Sequence, residues 1–259
     1  MKRAFSVVVA ILVAASLAFA ITGKEIVEKM RSQETYKDAV TKVKMVLVNP
    51  RGKTRTRVLI TRYKEKNGLT RAATTFVYPD DVKGTKFLVI EEKEGETTQY
   101  LFLPALGKIR KITAKERGGS FMGSDFSYAD LQPHDPNKGV HTLVKEEPCG
   151  EHECYVVESK PKEGEEEDFE YSKVIYWVRK DNFYPIKAVF YDKKGELLKQ
   201  LVVEEIAKTP DGVWYAKKSV MENLKTHHKT ILEIQEIKTN AGLSDEFFTL
   251  RFLEDKTRL

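Results

Sequence analysis

Few residues in this chain have the type and spacing that chemistry needs. Cys149 and Cys154 are close in sequence, with His152 between them. In an oxidising compartment such a pair closes a short loop as a disulfide. The same three side chains could face a metal, but one short spacing with no fourth ligand nearby is a poor zinc signature. The disulfide is therefore the reading taken, and no metal is expected. His134, His141, His152 and the pair His227-His228 show no HExxH or comparable spacing, so each reads as a surface or loop histidine.

Two glycine-rich stretches invite a catalytic reading and do not sustain it. Gly118-Gly119-Ser120 could cradle a phosphate, but it neither follows a strand nor opens a helix as a phosphate loop does. Gly123-Ser124-Asp125 sets a serine beside an acid without the flanking glycines of a nucleophile elbow. Ser124 or Asp125 as N-cap of a short helix near Asp125 to Leu131 explains the polar residues without catalysis. The chain is thus expected to have no catalytic residue, to need no cofactor and not to be an enzyme.

The elements that would position any site read mainly as strands. Thr22 and Glu25 form a capping box ahead of Ile26, Val27 and Met30, which share one face at helical spacing. The period then changes to two. Val43, Met45 and Leu47 precede the turn Asn49-Pro50-Arg51-Gly52, and Thr54, Thr56, Val58 and Ile60 lead to a second turn at Asn67-Gly68. The same pattern recurs at 86–92, 98–103, 173–179, 184–191, 197–206, 213–221 and 229–237, with turns at Glu94-Gly95, Asp192 to Gly195 and Pro210-Asp211-Gly212. Roughly ten or eleven strands are expected, with no βαβ spacing. An acidic loop at 161–168 and a short helix after Ser244 complete the reading.

The first twenty residues look like an export leader. Lys2 and Arg3 precede an apolar run from Phe5 to Leu17, and Ala18-Phe19-Ala20 has the pattern of a cleavage site. Residues 1–20 are read as a cleaved signal peptide, 21–259 as one domain, and the mature chain as exported without lipidation. No other stretch approaches the length of a membrane helix. The 259 residues carry a formal charge of +5, two units of which belong to Lys2 and Arg3, so nucleic acid is not an expected partner. Basic residues cluster at Arg51, Lys53, Arg55 and Arg57, and again from Lys108 to Arg117. These are either a solvated outer face or a docking strip for an anionic membrane or acidic partner, and any membrane contact is peripheral.

Large apolar residues, among them Phe76, Phe87, Tyr176, Trp177, Phe190 and Trp214, lie on strands with few helices to cover them. Such a sheet either packs as a sandwich core or encloses an apolar hollow able to take an acyl chain.

Three segments stand out: Tyr78-Pro79-Asp80-Asp81-Val82-Lys83-Gly84-Thr85-Lys86-Phe87-Leu88, Leu103 to Ile112, and the most specific, Ser120-Phe121-Met122-Gly123-Ser124-Asp125-Phe126-Ser127-Tyr128-Ala129-Asp130-Leu131. They resemble the outer-membrane lipoprotein-sorting proteins, a family with the fold of periplasmic lipoprotein carriers (LolA-like), which implies a periplasmic location. The resemblance implies a mainly β fold: a strongly curved, unclosed antiparallel half-barrel with a few helices covering its concave face. It implies a carrier of lipid or lipoprotein acyl chains, with an inner-membrane transporter and an outer-membrane acceptor as partners. The alternative is a sensor or accessory protein of a resistance-nodulation or mycobacterial large-membrane-protein type transporter. By alternation, Met45, Leu47, Val58, Ile60, Phe76, Leu88, Ile90 and Phe102 are the expected lipid-binding residues. Phe121, Met122, Gly123, Ser124, Asp125 and Phe126 are the expected entrance.

Overall fold

The computed structural model describes residues 21–32, 36–93, 96–133, 135–255 and 257. The expected leader at 1–20, the expected turn at Glu94-Gly95 and His134 lie outside them. Helix α1 (Gly23–Arg31) opens on the capping box, in which the Glu25 N–H donates to Thr22 Oγ1 at 3.2 Å and the Glu25 carboxylate accepts from the Thr22 N–H at 2.7 Å. Its apolar face behaves as its spacing predicts. Ile26 is fully buried with Val157 and Val178, and Val27 and Met30 pack against the same cluster.

The strands form two antiparallel meanders. The first comprises β1 (Asp38–Val48), β2 (Thr54–Lys66), β3 (Leu69–Tyr78), β4 (Lys86–Glu91), β5 (Thr97–Leu103) and β6 (Lys108–Lys111). The second comprises β7 (Gly139–Cys149), β8 (His152–Pro161), β9 (Lys173–Arg179), β10 (Pro185–Tyr191), β11 (Leu197–Lys208), β12 (Trp214–Asn223) and β13 (His228–Thr239). Short turns set each register. At the β2–β3 turn Asn67 and Gly68 both take positive φ, +56° and +75°, the left-handed pair that a two-residue hairpin loop needs.

The two meanders join through their ends. β1 pairs with β13, Met45 opposite Leu232 and Leu47 opposite Thr230, to make one thirteen-stranded sheet in the order β6-β5-β4-β3-β2-β1-β13-β12-β11-β10-β9-β8-β7. The sheet is unclosed, with β6 and β7 as its two edges. Thirteen strands exceed the ten or eleven expected; β3, β6, β7 and β8 fall outside the spans read as strands, and two of these are the edges. β6 is four residues long and reads Lys-Ile-Arg-Lys; beyond Leu143, β7 carries the charged run Lys145-Glu146-Glu147. Edge strands need no regular apolar alternation, and charge on them discourages unwanted pairing.

Two segments lie on this sheet. Because β6 and β7 are opposite edges, the connection from Ile112 to Lys138 spans the sheet, and we call it the crossing segment. On the other face, a turn at Asp245–Phe248 and helix α2 (Leu250–Glu254) bury Phe248, Phe252 and Leu253 against Ala73, Leu88 and Phe102. The fully buried Lys86 ammonium donates to the carbonyls of Phe252 (2.8 Å) and Asp255 (2.5 Å) and so caps the C-terminal end of α2. Cys149 and Cys154 are disulfide-bonded across the β7–β8 turn. Among the described residues no helix is long and apolar enough to cross a membrane.

Candidate functional site

The crossing segment carries the motif Ser120 to Leu131, and its side chains reach both meanders. Phe121 packs its ring 5.0 Å from Phe87 and 5.8 Å from Phe76, in a cluster that includes Val43, Met45, Leu47, Leu59 and Leu101. Phe126 joins Ala188, Phe190, Met221 and Tyr171 on the second meander. Between them the backbone turns sharply. Met122 and Gly123 both take left-handed φ, +53° and +73°, and the Arg57 guanidinium donates to the Met122 carbonyl. A left-handed methionine costs about 1–2 kcal/mol. The turn is therefore held by its surroundings: Phe121 buried at one end, Arg57 underneath and Asp125 beyond.

The expected helix near Asp125 to Leu131 is not formed. One-turn 3-10 segments stand at Phe121–Gly123 and Ala129–Leu131 instead; Ser124 is the C-cap of the first, and neither Ser124 nor Asp125 is an N-cap. The acids are used against the sheet. The Asp125 carboxylate accepts from Thr230 Oγ1 at 2.6 Å and lies 2.7 Å from His228 Nδ1. The Asp130 carboxylate pairs with Lys199 at 2.5 Å and accepts from the Tyr171 hydroxyl and the Ser127 N–H, each at 2.7 Å. Lys199 is 3% exposed, so this is a buried ion pair whose oxygens are satisfied by further donors. Burial, and then the Asp130 charge, push the Tyr171 hydroxyl far above its ordinary range and that of Tyr176 up to about 12. Both phenols are neutral at any physiological pH, and that of Tyr171 donates to Asp130.

An apolar cavity of about 600 Å³ lies between the sheet, α1 and the end of the crossing segment. Its wall includes Val27 and Met30 of α1, Ala72 and Val89 of the first meander, Leu131 and Pro133 of the crossing segment, and Val174, Tyr176 and Phe190 of the second. That volume lies within the roughly 300–1,000 Å³ range of small-molecule sites. His141 and Ser159 stand on the wall, with Ser159 Oγ 2.7 Å from His141 Nδ1. Burial holds the His141 imidazole below its usual pKa, which favours the neutral ring.

The expected lipid-binding residues divide between the two faces of the sheet. Met45, Leu47 and Phe76 stand together under Phe121, with Met122 packed against them. Leu88 and Phe102 lie on the opposite face beneath α2, with Ile90 beside them. Ile60 is opposite Thr75, which is opposite Lys86, so Ile60 shares the α2 side, and Val58 follows by alternation. Their neighbours Leu59, Phe87, Val89 and Leu101 face the crossing segment instead. The physical reason is that β4 is covered on both faces and reads as a continuous apolar run, Phe87-Leu88-Val89-Ile90, in which period two has no visible phase. The same holds for β9, whose run Val174-Ile175-Tyr176-Trp177-Val178 hides which of its residues face the cavity. Gly123, Ser124, Asp125 and Phe126 do share one short segment with Phe121, over the centre of the sheet. Arg57, expected with the exposed basic strip, is half-buried under Met122, while Arg51, Lys53 and Arg55 remain exposed. Among the described residues no group of three His, Cys, Asp or Glu side chains is placed to hold a metal.

The fold recurs in solved structures. An outer membrane lipoprotein-sorting protein domain from Vibrio parahaemolyticus is 30% identical over 90% of this chain and 98% of its own, with a TM-score of 0.83. The chain belongs to the outer-membrane lipoprotein-sorting protein family. A DUF1329 family protein from Desulfovibrio piger is as similar, 31% identical over 89% of this chain and 97% of its own at a TM-score of 0.84. A LolA superfamily protein from Nitrosomonas europaea, 20% identical over 90% of this chain and all of its own, shares the fold at a TM-score of 0.71. The sequence family described as "Uncharacterized protein" matches residues 68–255. No curated protein matches the chain.

Proposed function

We propose that this member of the lipoprotein-sorting family is a non-catalytic periplasmic carrier that holds the acyl chains of lipids or lipoproteins in the cavity beneath the crossing segment. The observation that carries the reading is the cavity itself: about 600 Å³, with apolar side chains from α1, both meanders and the crossing segment on its wall. Each methylene moved from water into such a wall gains about 0.8 kcal/mol, so one chain of ordinary length supplies several kcal/mol. In this reading the sheet curves around the hollow, with α1 and the crossing segment covering its concave side. The leader at residues 1–20 directs export. An inner-membrane transporter loads the carrier and an outer-membrane acceptor unloads it.

The test is direct. Protein purified without detergent is extracted with organic solvent and the extract analysed by mass spectrometry, and the stripped protein is titrated with a fluorescent fatty acid. Co-purified acyl lipid and saturable micromolar binding are expected. A lipid-free protein that does not bind the probe overturns the carrier reading.

A further inference from the structure

Beside the apolar cavity lies a second, polar one of about 550 Å³, and the two share Gln132, Pro133, Asp135 and Phe169 in their walls. Its character is different. Lys111 and Arg117 stand on its wall and neither makes an ion pair among the described residues, whereas Lys138, also on the wall, lies 3.6 Å from Glu165. Glu96 and Asp135 are its acidic members, and Asp135 already accepts the N–H of Asn137.

Two buried polar atoms belonging to residues of this wall have no hydrogen-bond partner: Arg117 Nε, a donor, and Gln132 Oε1, an acceptor. Leaving such an atom unpaired costs about 1–3 kcal/mol, so residues of this wall hold unused hydrogen-bonding capacity of both senses. Arg117 is held for the task, since its Nη2 donates to the Thr97 carbonyl at 2.9 Å and so fixes the guanidinium plane. Guanidinium and ammonium together suit a phosphate monoanion.

Resting on the carrier reading, we infer that the polar cavity receives the phosphate head of an amphiphile whose chain occupies the apolar cavity. The cargo class is then a phospholipid, and Arg117 and Lys111 distinguish it from an uncharged acyl lipid. Phosphate oxygens accept from Arg117 and Lys111. Gln132, on the wall common to both cavities, accepts from an N–H or O–H of the head. Glu96 and Asp135 leave room for a cationic group beside the phosphate and oppose a second negative charge, which favours phosphoethanolamine over a more acidic head.

The experiment compares two probes with identical chains and the same fluorophore at a chain end, phosphatidylethanolamine and diacylglycerol, titrated into the intact exported protein. The phospholipid should bind at least about tenfold more tightly, and Arg117→Gln or Lys111→Glu should each remove most of that preference while leaving diacylglycerol affinity within about twofold. Lys111 is exposed, so Lys111→Glu stays informative even where Arg117→Gln loosens the crossing segment. Equal affinity for the two lipids, or a preference that survives both variants, overturns this inference and leaves the carrier reading standing. Binding of neither lipid overturns both. Glycerophosphoethanolamine, the head without chains, should not displace the phospholipid at millimolar concentration; if it does, the site serves a soluble phosphate ester and the lipid assignment falls.

Discussion

The two meanders are built from the same hairpins yet are put to different uses. The first is covered on both faces, by Phe121 and Tyr128 on one side and by Phe248, Phe252 and Leu253 on the other. Phe76, Phe87, Leu88, Val89, Leu101 and Phe102 are accordingly all but inaccessible. The second is covered on one face only, by α1 and Phe126, and there it lines the cavity with half-buried Val174 and Tyr176. Its other face meets water through cross-strand ion pairs such as Lys218–Glu204 and Lys229–Glu222. A strand becomes core or wall according to what is laid over it, not according to its own composition.

That contrast can be broken most severely in the doubly covered half. Phe102→Ala should cost about 3–5 kcal/mol in urea unfolding, because α2 and the sheet cannot both collapse onto the void. Lys199→Met is expected to be of similar size, about 3–5 kcal/mol, since it strands the buried Asp130 carboxylate. The double variant Lys199→Met with Asp130→Leu should recover most of that loss; failure to recover would mean that the ion pair does more than neutralise itself.

Smaller changes sharpen the comparison. Tyr176→Ala, on the wall, should lower affinity for an acyl probe about tenfold while costing less stability than Phe102→Ala. Were the two variants to lose stability equally, the second meander would be a packed core like the first. The smallest effect concerns Glu170, half-buried on the cavity wall, whose carboxyl is held above its ordinary range chiefly by burial. A raised folded-state pKa means that its contribution is most favourable in acid and is lost as pH rises through that value. Glu170→Gln should therefore stabilise the protein at pH 7, by no more than about 1 kcal/mol after solvent screening, and the gain should vanish toward pH 4 in a thermal melt.

Much of the local structure was legible residue by residue. Thr22 and Glu25 announce α1, Asn67-Gly68 announces its hairpin, and Cys149 and Cys154 their disulfide, because each depends on groups within a few positions of one another. Of the candidate site, the motif around Phe121 to Phe126 was found but its conformation was not. Asp125 reads as a helix cap in the sequence but is bound to Thr230, 105 positions away, and Asp130 is bound to Lys199, 69 positions away, both on the second meander.

The sequence by itself determined the strand period, the turns, the first helix and the family. Only the tertiary structure decided which face of each strand looks inward, that β1 meets β13 in the middle of the sheet, and that one connection must then span from edge to edge. The reason is that alternation sets a period without a phase. The phase comes from what packs above and below, and in this protein those partners, α1, the crossing segment and α2, are distant in sequence from most of the strands they cover.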